Sequence, residues 1–426
     1  MEQRIYKELK EKLFYEKLSN GLDVFILPKK GFYKTFATFT TKFGSIDTKI
    51  LKNGSKEAIQ FPDGIAHFLE HKMFEDENGD VFHTFAKQGA IVNAYTNFTR
   101  TAYTLSATSN IDRNLISLLD FVQHPYFTNE TVEKERSIIE QEIQMYNDNP
   151  DWRSRFALLE NMFWSHPVKN DIAGTISTIN KINVEDLYTC YKAFYHPTNM
   201  ALFIVGNVNP EDVLTLVKNN QENKVFHEFN KIDREFSNEK SVVKKKNSIM
   251  NFTVQSPKVY IGFKDSNLVE TRQKLLKYEM TINVLLELMF GQSSEAYEIM
   301  YSKGLINETF SLESTIEDSF GFSIIGGDSN DPEEVIKIVS QTIENFKKET
   351  IKQEDMQRAI NKEVGNFLSA LNSPQYIANQ FTRYHFNNIN LFDSIPILQK
   401  LTIKDLKKVL NLHFSEDTKT TLIVQP

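Results

Sequence analysis

The chain has 426 residues, of which 40% are hydrophobic and 25% are charged, and its formal net charge is −7. Its 33 Phe and 16 Tyr exclude a mainly disordered chain, and its single cysteine, Cys190, excludes an internal disulfide framework. The mild acidity argues against a nucleic-acid partner, which usually requires a basic face. The start of the chain is charged, and no segment approaches the roughly 20 apolar residues of a membrane span. We therefore expect a cytoplasmic protein with no membrane partner.

Two strand signals precede residue 45. The segments 14–18 and 22–27 flank Asn20 and Gly21, a pair that tolerates the positive φ of a tight hairpin turn. Over 37–43, apolar residues alternate with polar residues, which predicts a strand with one buried face.

The next part of the chain predicts a mixture of helices and strands. Helices are predicted over 63–75, 80–88, 110–123, 129–146 and 150–164, and strands over 91–97 and 101–108. Because these elements do not alternate as regular βαβ units, we predict an α+β fold with helices packed against mixed, largely antiparallel sheets.

The first of these helices carries the sequence His-Phe-Leu-Glu-His. His67 and His71 are four residues apart, so both imidazoles project from one face of the helix and can provide two ligands of a tetrahedral zinc site. Glu70 lies near the same face, where it can reach a metal-bound water without being a ligand. Either histidine alone would more often be a core residue, but the combination predicts a metal site with a general base.

The fourth predicted helix supplies candidates for a third ligand. Its apolar anchors Val132, Ile139 and Tyr146 share one helical face with Glu135 and Glu142. A carboxylate that faces inward is costly unless a cation or hydrogen-bond donors compensate it. The pattern singles out these two carboxylates but does not choose between them.

The chain contains an internal repeat at about half its length. Residues 182–205 align without a gap with 401–424, and each copy has the pattern of a capped short helix followed by a strand. We therefore predict two structurally similar domains, at about 1–222 and 245–426, joined by a linker over 223–244.

The inverted His-x-x-Glu-His motif at 67–71 and the glutamate-rich segment at 132–142 resemble those of the inverzincins. More closely, they resemble the pitrilysin (insulinase) family, which includes insulin-degrading enzyme and the mitochondrial processing peptidases. The resemblance implies two similar domains arranged as half of a clamshell, with one Zn²⁺ per chain. It also implies a role for each candidate: zinc ligands His67, His71 and Glu142, general base Glu70, and supporting carboxylate Glu135.

The strand predicted over 91–97 is similar to the Asn-Ala-x-Thr strand that lies beside zinc in this family. The resemblance implies that Asn93, Ala94 and Tyr95 contact the substrate. If the strand is an exposed edge, an extended peptide can dock beside it as an added strand. From the residues alone, Asn93 could instead tolerate an irregular strand end, and Tyr95 could be a packing residue.

The second half departs from the family pattern. It contains no His-x-x-Glu-His, and alignment on Gly304 and Leu305 puts Met300 and Asn307 where the family has an arginine and a tyrosine that hold the substrate carbonyl. Neither side chain can replace a guanidinium or a phenol. The resemblance therefore implies a heterodimer in which a degenerate paralogue supplies the Arg–Tyr clamp, with a homodimer as the alternative.

These observations predict a zinc-dependent endopeptidase that hydrolyses short or unfolded peptides. Zinc lowers the pKa of bound water from about 15.7 to about 7, and Glu70 would accept the proton and deliver it to the leaving amine. Two alternatives remain open: a non-catalytic assembly or scaffold subunit of a peptidase heterodimer, and a zinc hydrolase of another amide in a peptide-maturation pathway. Glu70 argues against the scaffold, because a structural zinc site needs no base.

Overall fold

The computed structural model describes residues 1–52, 58–77, 79–227, 232–265 and 274–426. Seventeen strands and fifteen helices lie within these ranges, and they give the α+β class that the sequence predicts. None of these helices combines the length and the apolar character that crossing a membrane would require.

The elements are numbered here in chain order. The strands are β1 (Glu2–Tyr6), β2 (Glu11–Lys17), β3 (Asp23–Pro28), β4 (Thr35–Thr41), β5 (Lys49–Lys52), β6 (Ala58–Gln60), β7 (Glu75–Asp76), β8 (Gly79–Asp80), β9 (Ala90–Thr96), β10 (Thr101–Ala107), β11 (Met200–Gly206), β12 (Ile232–Arg234), β13 (Asn247–Asn251), β14 (Lys258–Lys264), β15 (Ser311–Ile316), β16 (Gly321–Asp328) and β17 (Lys419–Gln425). The helices are α1 (Ile65–Lys72), α2 (Phe82–Lys87), α3 (Ile111–Val122), α4 (Asn129–Asn147), α5 (Pro150–Met162), α6 (Ile176–Ile179), α7 (Val184–Phe194), α8 (Pro210–Glu222), α9 (Leu275–Phe290), α10 (Glu295–Ser302), α11 (Pro332–Lys348), α12 (Gln353–Ala370), α13 (Pro374–Phe386), α14 (Ser394–Gln399) and α15 (Ile403–His413).

The chain divides into two compact units, each with its own main sheet. The first unit contains Met1–Gln144, Asp171–Glu235 and Ala370–Phe392, and the second contains Met145–Asn170, Phe236–Ser369 and Asp393–Pro426. The predicted borders, 1–222 and 245–426 with a linker over 223–244, stay a prediction. The compact units differ from those ranges because one helix from each half of the chain packs on a sheet that the other half builds.

The main sheet of the first unit has seven strands in the order β1-β2-β3-β11-β4-β10-β9. β3 and β11 are parallel, and the other neighbouring pairs are antiparallel. The predicted hairpin is confirmed as β2 and β3, which turn at Asn20 and Gly21. This order places β9, the strand predicted to meet the substrate, at one edge of the sheet.

The predicted environment of β4 was wrong in one respect. The alternation over 37–43 predicts a single buried face, but every residue of Thr35–Thr41 is buried. Both α3 and α13 pack against β4, and α13 also packs against β11. Because α13 comes from the far end of the chain, local periodicity could not reveal that the polar face is covered too.

The five-stranded sheet of the second unit repeats part of the first sheet. Its order is β13-β17-β14-β16-β15, which matches β3-β11-β4-β10-β9 with a parallel first pair followed by antiparallel pairs. The helices that lead into β11 and β17 both begin with a capping box, formed by Asn183 with Asp186 and by Thr402 with Asp405. The structure therefore confirms the internal repeat.

Helix α5 shows why the second unit includes a segment from the first half of the chain. Its apolar residues Phe156, Leu158 and Met162 are buried, and the helix packs against β14 and β17. β14 carries Gly262 at this contact, where an added Cβ would lie 2.0 Å from the Met162 Cε atom. Only glycine allows the helix to approach the strand this closely.

Candidate metal centre

Helix α1, which carries the histidine motif, is fixed at both ends. It begins at Gly64, whose φ is 91° and whose missing side chain leaves room for the carbonyl oxygen of Ala173, 2.5 Å from where a Cβ would lie. Near its other end, the fully buried Lys72 forms an ion pair with Glu75 and donates a hydrogen bond to the carbonyl oxygen of Thr131, just inside α4. These contacts fix the zinc-motif helix against the helix that supplies the glutamates.

His67 and His71 lie one helical turn apart on α1, with ring centroids separated by 4.5 Å. The Nε2 atoms of His67 and His71 lie 3.6 Å and 3.5 Å from the Oε2 atom of Glu142 on α4. Within the described ranges, this is the one group of three or more His, Cys, Asp or Glu residues whose ligand atoms all lie within 4.8 Å of one another.

The spacing of these three atoms fits a zinc ion. Zinc bonds to nitrogen and oxygen measure about 2.0–2.2 Å, so two ligand atoms of a tetrahedral site lie about 3.4 Å apart. The observed separations of 3.5 Å and 3.6 Å are close to that value. Two imidazoles and one carboxylate supply three ligands and leave a fourth position open, as catalytic zinc sites require.

The electrostatics of the histidines also suit metal binding. Burial, and then the charge of His71, lower the pKa of His67 to about 3, so that this imidazole is neutral and can act as a metal ligand. The pKa of His71 is raised: burial opposes its charge, but the hydrogen bond to Glu135 and the nearby carboxylates of Glu70 and Glu142 outweigh burial. Three carboxylates thus converge on two rings, a set of charges that a divalent cation would balance.

Glu135 contacts the outer nitrogen of one histidine. Its Oε1 atom lies 2.9 Å from Nδ1 of His71, and its side chain is largely buried. A carboxylate at Nδ1 fixes the proton there and leaves the Nε2 lone pair directed at Glu142. The two glutamates that the sequence pattern could not separate therefore occupy different positions: Glu142 supplies one of the three clustered ligand atoms, and Glu135 lies behind His71.

Glu70 lies next to the cluster and is only 7% exposed. Its Oε2 atom accepts a hydrogen bond of 2.6 Å from the hydroxyl of Thr96 on β9. Burial raises the pKa of Glu70 to about 7, with the Glu142 charge acting in the same direction and with Thr96 and His71 opposing it. A carboxyl with a pKa near neutrality can both accept and return a proton.

The candidate substrate residues lie on β9, at the edge of the seven-stranded sheet. Asn93 is exposed, and its Oδ1 atom accepts a hydrogen bond from the backbone N–H of Ala94. Ala94 and Tyr95 are half-buried. The sequence prediction missed the contact between Thr96 and Glu70, although alternation along β9 puts Thr96 on the same face as the buried Val92, and this signal could have found it.

The two residues predicted to stand at the family's arginine and tyrosine positions are engaged within the second unit. Met300, on α10, is fully buried. The Oδ1 atom of Asn307 accepts hydrogen bonds from the backbone N–H and the hydroxyl of Thr309. Both side chains therefore have structural roles in their own unit.

Comparison with known proteins places the chain among peptidases. The family profile "Insulinase (Peptidase family M16)" matches residues 50–176, and the profile "Peptidase M16 inactive domain" matches residues 181–363. YmfH of Bacillus subtilis (strain 168), described as an uncharacterized zinc protease, is 50% identical over 99% of this chain and 98% of its own length.

Solved structures agree with these sequence matches. The crystal structure of an M16-like peptidase from Alicyclobacillus acidocaldarius is 34% identical, covers 99% of this chain and 100% of its own, and superimposes with a TM-score of 0.95. Pitrilysin is 16% identical with a TM-score of 0.77, and the match covers 99% of this chain and 46% of pitrilysin. At that identity, pitrilysin shares the fold alone.

The fold, the paired histidines and the relatives together place the chain in a family whose named members are zinc proteases. The chain belongs to the insulinase family, peptidase family M16. The names of its relatives imply zinc, and membership supports a peptidase function.

Proposed function

We propose that this protein is a zinc-dependent endopeptidase that hydrolyses short or unfolded peptides. The observation that carries the proposal is the convergence of His67, His71 and Glu142 on one point, with the buried carboxyl of Glu70 beside it. A metal site without a catalytic role would not need a buried, uncoordinated carboxyl at that position.

In this proposal His67, His71 and Glu142 hold one zinc ion. When bound, zinc activates a water molecule for attack and polarises the scissile carbonyl. Glu135 orients the imidazole of His71 through its Nδ1 atom, 2.9 Å away, so that Nε2 faces the Oε2 atom of Glu142 and would be available to the metal. The ligands therefore come from two helices whose relative position Lys72 helps to fix.

Glu70 is the general base of the proposed reaction. It takes the proton of the attacking water and returns it to the nitrogen of the leaving amine. Its Oε2 atom is occupied by the Thr96 hydroxyl, so the other carboxyl oxygen is the one available to the water. Burial raises the pKa of Glu70 to about 7 in the protein without its metal ion. A bound divalent cation would lower this pKa and so favour the carboxylate form that accepts the proton.

The peptide docks along β9 as an additional strand. β9 is an edge strand, and antiparallel pairing with β10 satisfies one of its two sides. Asn93, Ala94 and Tyr95 then meet the substrate backbone and its side chains. Because recognition relies mainly on backbone hydrogen bonds, extended peptides are preferred over folded proteins.

A second subunit completes the site. Met300 is buried and Asn307 is bonded to Thr309, so this chain's second half does not offer the arginine and tyrosine expected at these positions. We propose a heterodimer with a degenerate paralogue that supplies them, and a homodimer is the alternative. The purified chain alone would then cleave peptides much more slowly than the assembled pair.

The test combines metal analysis with digestion of an unbiased peptide library, with and without the co-purified partner. Glu70→Gln should retain one zinc per chain and lose cleavage by about 10²–10⁴-fold, the usual contribution of general acid–base catalysis. Glu133→Gln, which changes an exposed glutamate of α4, is the matched control and should cleave like the wild type.

Two other outcomes would redirect the proposal. Undiminished cleavage by Glu70→Gln would contradict its role as the base. If the wild type binds zinc but neither the chain nor the assembled pair cleaves any library peptide, the scaffold role replaces the peptidase role. Cleavage only of a non-peptide amide would favour the peptide-maturation alternative.

A further inference from the structure

We infer that Arg100 and Tyr95 form a carboxylate-binding subsite at the end of β9, which selects substrate peptides carrying a negative charge. The inference deepens the proposed function and rests on it, because the ligand is a peptide docked along β9. Neither the zinc ligands nor Glu70 takes part in the subsite.

Arg100 lies just before β10, and its guanidinium forms no ion pair with any residue in the described ranges. The residue is only 7% exposed, and its Nε atom is buried with no hydrogen-bond partner among the described residues. Its guanidinium lies over the ring of Tyr95, whose centroid is 5.9 Å from the Cζ atom. A buried charge is costly unless it is paired and hydrogen-bonded, so the free protein bears a cost that a ligand can remove.

Tyr95 provides a second buried hydrogen-bond donor. Its hydroxyl is buried and has no hydrogen-bond partner in the described part of the chain. Tyr95 pairs with Ala102 across the β9–β10 ladder, so Arg100, two residues before Ala102, is its diagonal neighbour. Diagonal cross-strand neighbours lie about 7–8 Å apart, within reach of long and aromatic side chains. The two donors therefore share one face of the sheet.

The turn that carries Arg100 is held rigidly. The Oδ1 atom of Asn97 accepts hydrogen bonds from the backbone N–H groups of Thr99 and Arg100, both at 2.9 Å. The carbonyl oxygens of the turn accept further hydrogen bonds from Ser45 and Ile46. Because the backbone is fixed before any ligand arrives, binding does not have to order it.

The chemistry of the two groups specifies the ligand. A guanidinium carries only donors and a permanent positive charge, and the phenol can donate as well, so the complementary group is a negatively charged acceptor. A peptide added beside β9 presents alternate side chains on the Tyr95 face. The carboxylate is therefore the side chain of an Asp or Glu of the substrate, or the substrate's own terminal carboxylate.

Paired peptides separate these two sources. In the first series, blocked peptides carry one Glu at successive positions and are compared with identical peptides carrying Gln. In the second series, the Gln peptides end in either a free carboxylate or an amide. In one of the two series, and at one position of the charge along the peptide, the wild type should cleave the charged peptide with a kcat/KM about 10- to 100-fold higher than that of its neutral counterpart. This is the usual range for a hydrogen bond to a charged group.

Variants assign the preference to the subsite. In Arg100→Met, the ratio of kcat/KM for the charged peptide to kcat/KM for the neutral peptide should fall close to one. Tyr95→Phe, which removes only the hydroxyl, should give an intermediate ratio. Arg113→Met and Tyr33→Phe change exposed residues of the same unit and should keep the wild-type ratio. A wild-type ratio near one in both series, or an unchanged ratio in Arg100→Met, would overturn the inference.

Two measurements do not depend on catalysis. Fluorescence anisotropy with the same peptides and EDTA-treated protein should show the same charge preference, so that a failure of the peptidase proposal is distinguishable from a failure of the subsite. The melting temperature of Arg100→Met should equal or exceed that of the wild type, because the variant removes an unpaired buried charge. A lower melting temperature would indicate a structural arginine and would contradict the inference.

Discussion

At the scale of single residues, the centre is organised by contacts made behind the proposed zinc ligands. The ligand atoms themselves follow from the spacing of the histidine motif, but their orientation does not. Glu135 acts on the far nitrogen of His71, and Thr96 acts on one oxygen of Glu70. Both contacts join an α1 side chain to another element, so they depend on tertiary packing.

Replacing Thr96 tests whether its hydroxyl positions the base. Thr96→Val keeps the shape of the side chain and removes the donor, so the carboxyl of Glu70 loses its fixed rotamer. We expect kcat to fall by about tenfold or more, as for other hydrogen bonds to charged groups, with KM and zinc content unchanged. Steady-state kinetics on one library peptide give both constants.

The conservative change is the control for this prediction. Thr96→Ser retains the hydroxyl and should recover most of kcat. If serine and valine reduce kcat equally, packing of the methyl group rather than the hydrogen bond is the cause.

Replacing Glu135 tests the support of His71. Glu135→Gln removes the negative charge 2.9 Å from Nδ1, so the imidazole becomes a weaker and less well-oriented ligand. We expect zinc affinity to fall by about 10- to 100-fold. Competition with a fluorescent chelator measures the affinity, and Glu133→Gln on the exposed face of α4 should leave it unchanged. Equal affinity in wild type and Glu135→Gln would show that the carboxylate does not support zinc binding.

At the scale of elements, the sequence predicts helices and strands well wherever their periodicity is local. The predicted helix at 110–123 is observed at 111–122, and the predicted strand at 101–108 is observed at 101–107. The histidine helix is shorter than predicted, at Ile65–Lys72, because Gly64 takes a left-handed conformation and the chain turns after Lys72. Local sequence periodicity therefore predicts where helices and strands lie, and glycine conformation and turn geometry determine where they end.

What the sequence could not reveal depends on residues that are distant in the chain. The burial of β4 on both faces comes from α13, and the second unit takes α5 from the first half. At the centre, motif spacing predicts the two histidines and an inward carboxylate, but resemblance was needed to choose Glu142 over Glu135. The lack of a partner for the Arg100 Nε atom among the described residues has no sequence signature, because it depends on which acceptors the fold brings near it.

An acidic side chain fixes the segment after β12 within the second unit. Glu239 accepts hydrogen bonds from the backbone N–H groups of Trp164, Ser165 and His166 and pairs with the buried Lys264 at 2.6 Å. Burial alone would raise the pKa of Glu239, but these partners outweigh burial and lower it to about 2.

This arrangement predicts a pH-dependent contribution to stability. Because the pKa of Glu239 in the folded protein lies below its ordinary value near 4.5, its contribution is complete above about pH 4.5 and is lost as the pH falls toward 2. Glu239→Gln should lower the free energy of unfolding by about 2–4 kcal/mol at pH 7, since Lys264 loses its charged partner. Urea unfolding between pH 7 and 3 should show the difference from wild type shrinking below pH 4.5. A difference that stays constant with pH would contradict this account.

At the scale of the whole molecule, two units of the same strand order have diverged in chemistry. The first unit contains His67, His71 and Glu142, the proposed base Glu70 and the edge strand β9, since Glu142 precedes the border at Gln144. The second unit repeats the sheet, and Met300 and Asn307, which we predict to occupy the family's substrate-clamp positions, are engaged in packing and in a hydrogen bond to Thr309. Within the described ranges, only the first unit brings three side chains together that could hold a metal ion.

The location of the ligands in one unit predicts how metal removal affects unfolding. A metal that binds only the folded state stabilises it by RT ln(1 + [L]/Kd), about 4 kcal/mol when free zinc is 1,000 times Kd. Because each unit has its own sheet and core, we expect calorimetry to resolve two transitions, and EDTA should lower only the one that belongs to the first unit, by several degrees. His67→Ala should melt at the EDTA-treated temperature with or without chelator, whereas an exposed change in the second unit, Arg358→Met, should respond to EDTA like the wild type. The contrary outcome is a single transition that does not respond to EDTA in the zinc-loaded wild type. It would show that His67, His71 and Glu142 do not bind metal strongly enough to stabilise the fold. The proposed zinc centre would then have to be abandoned.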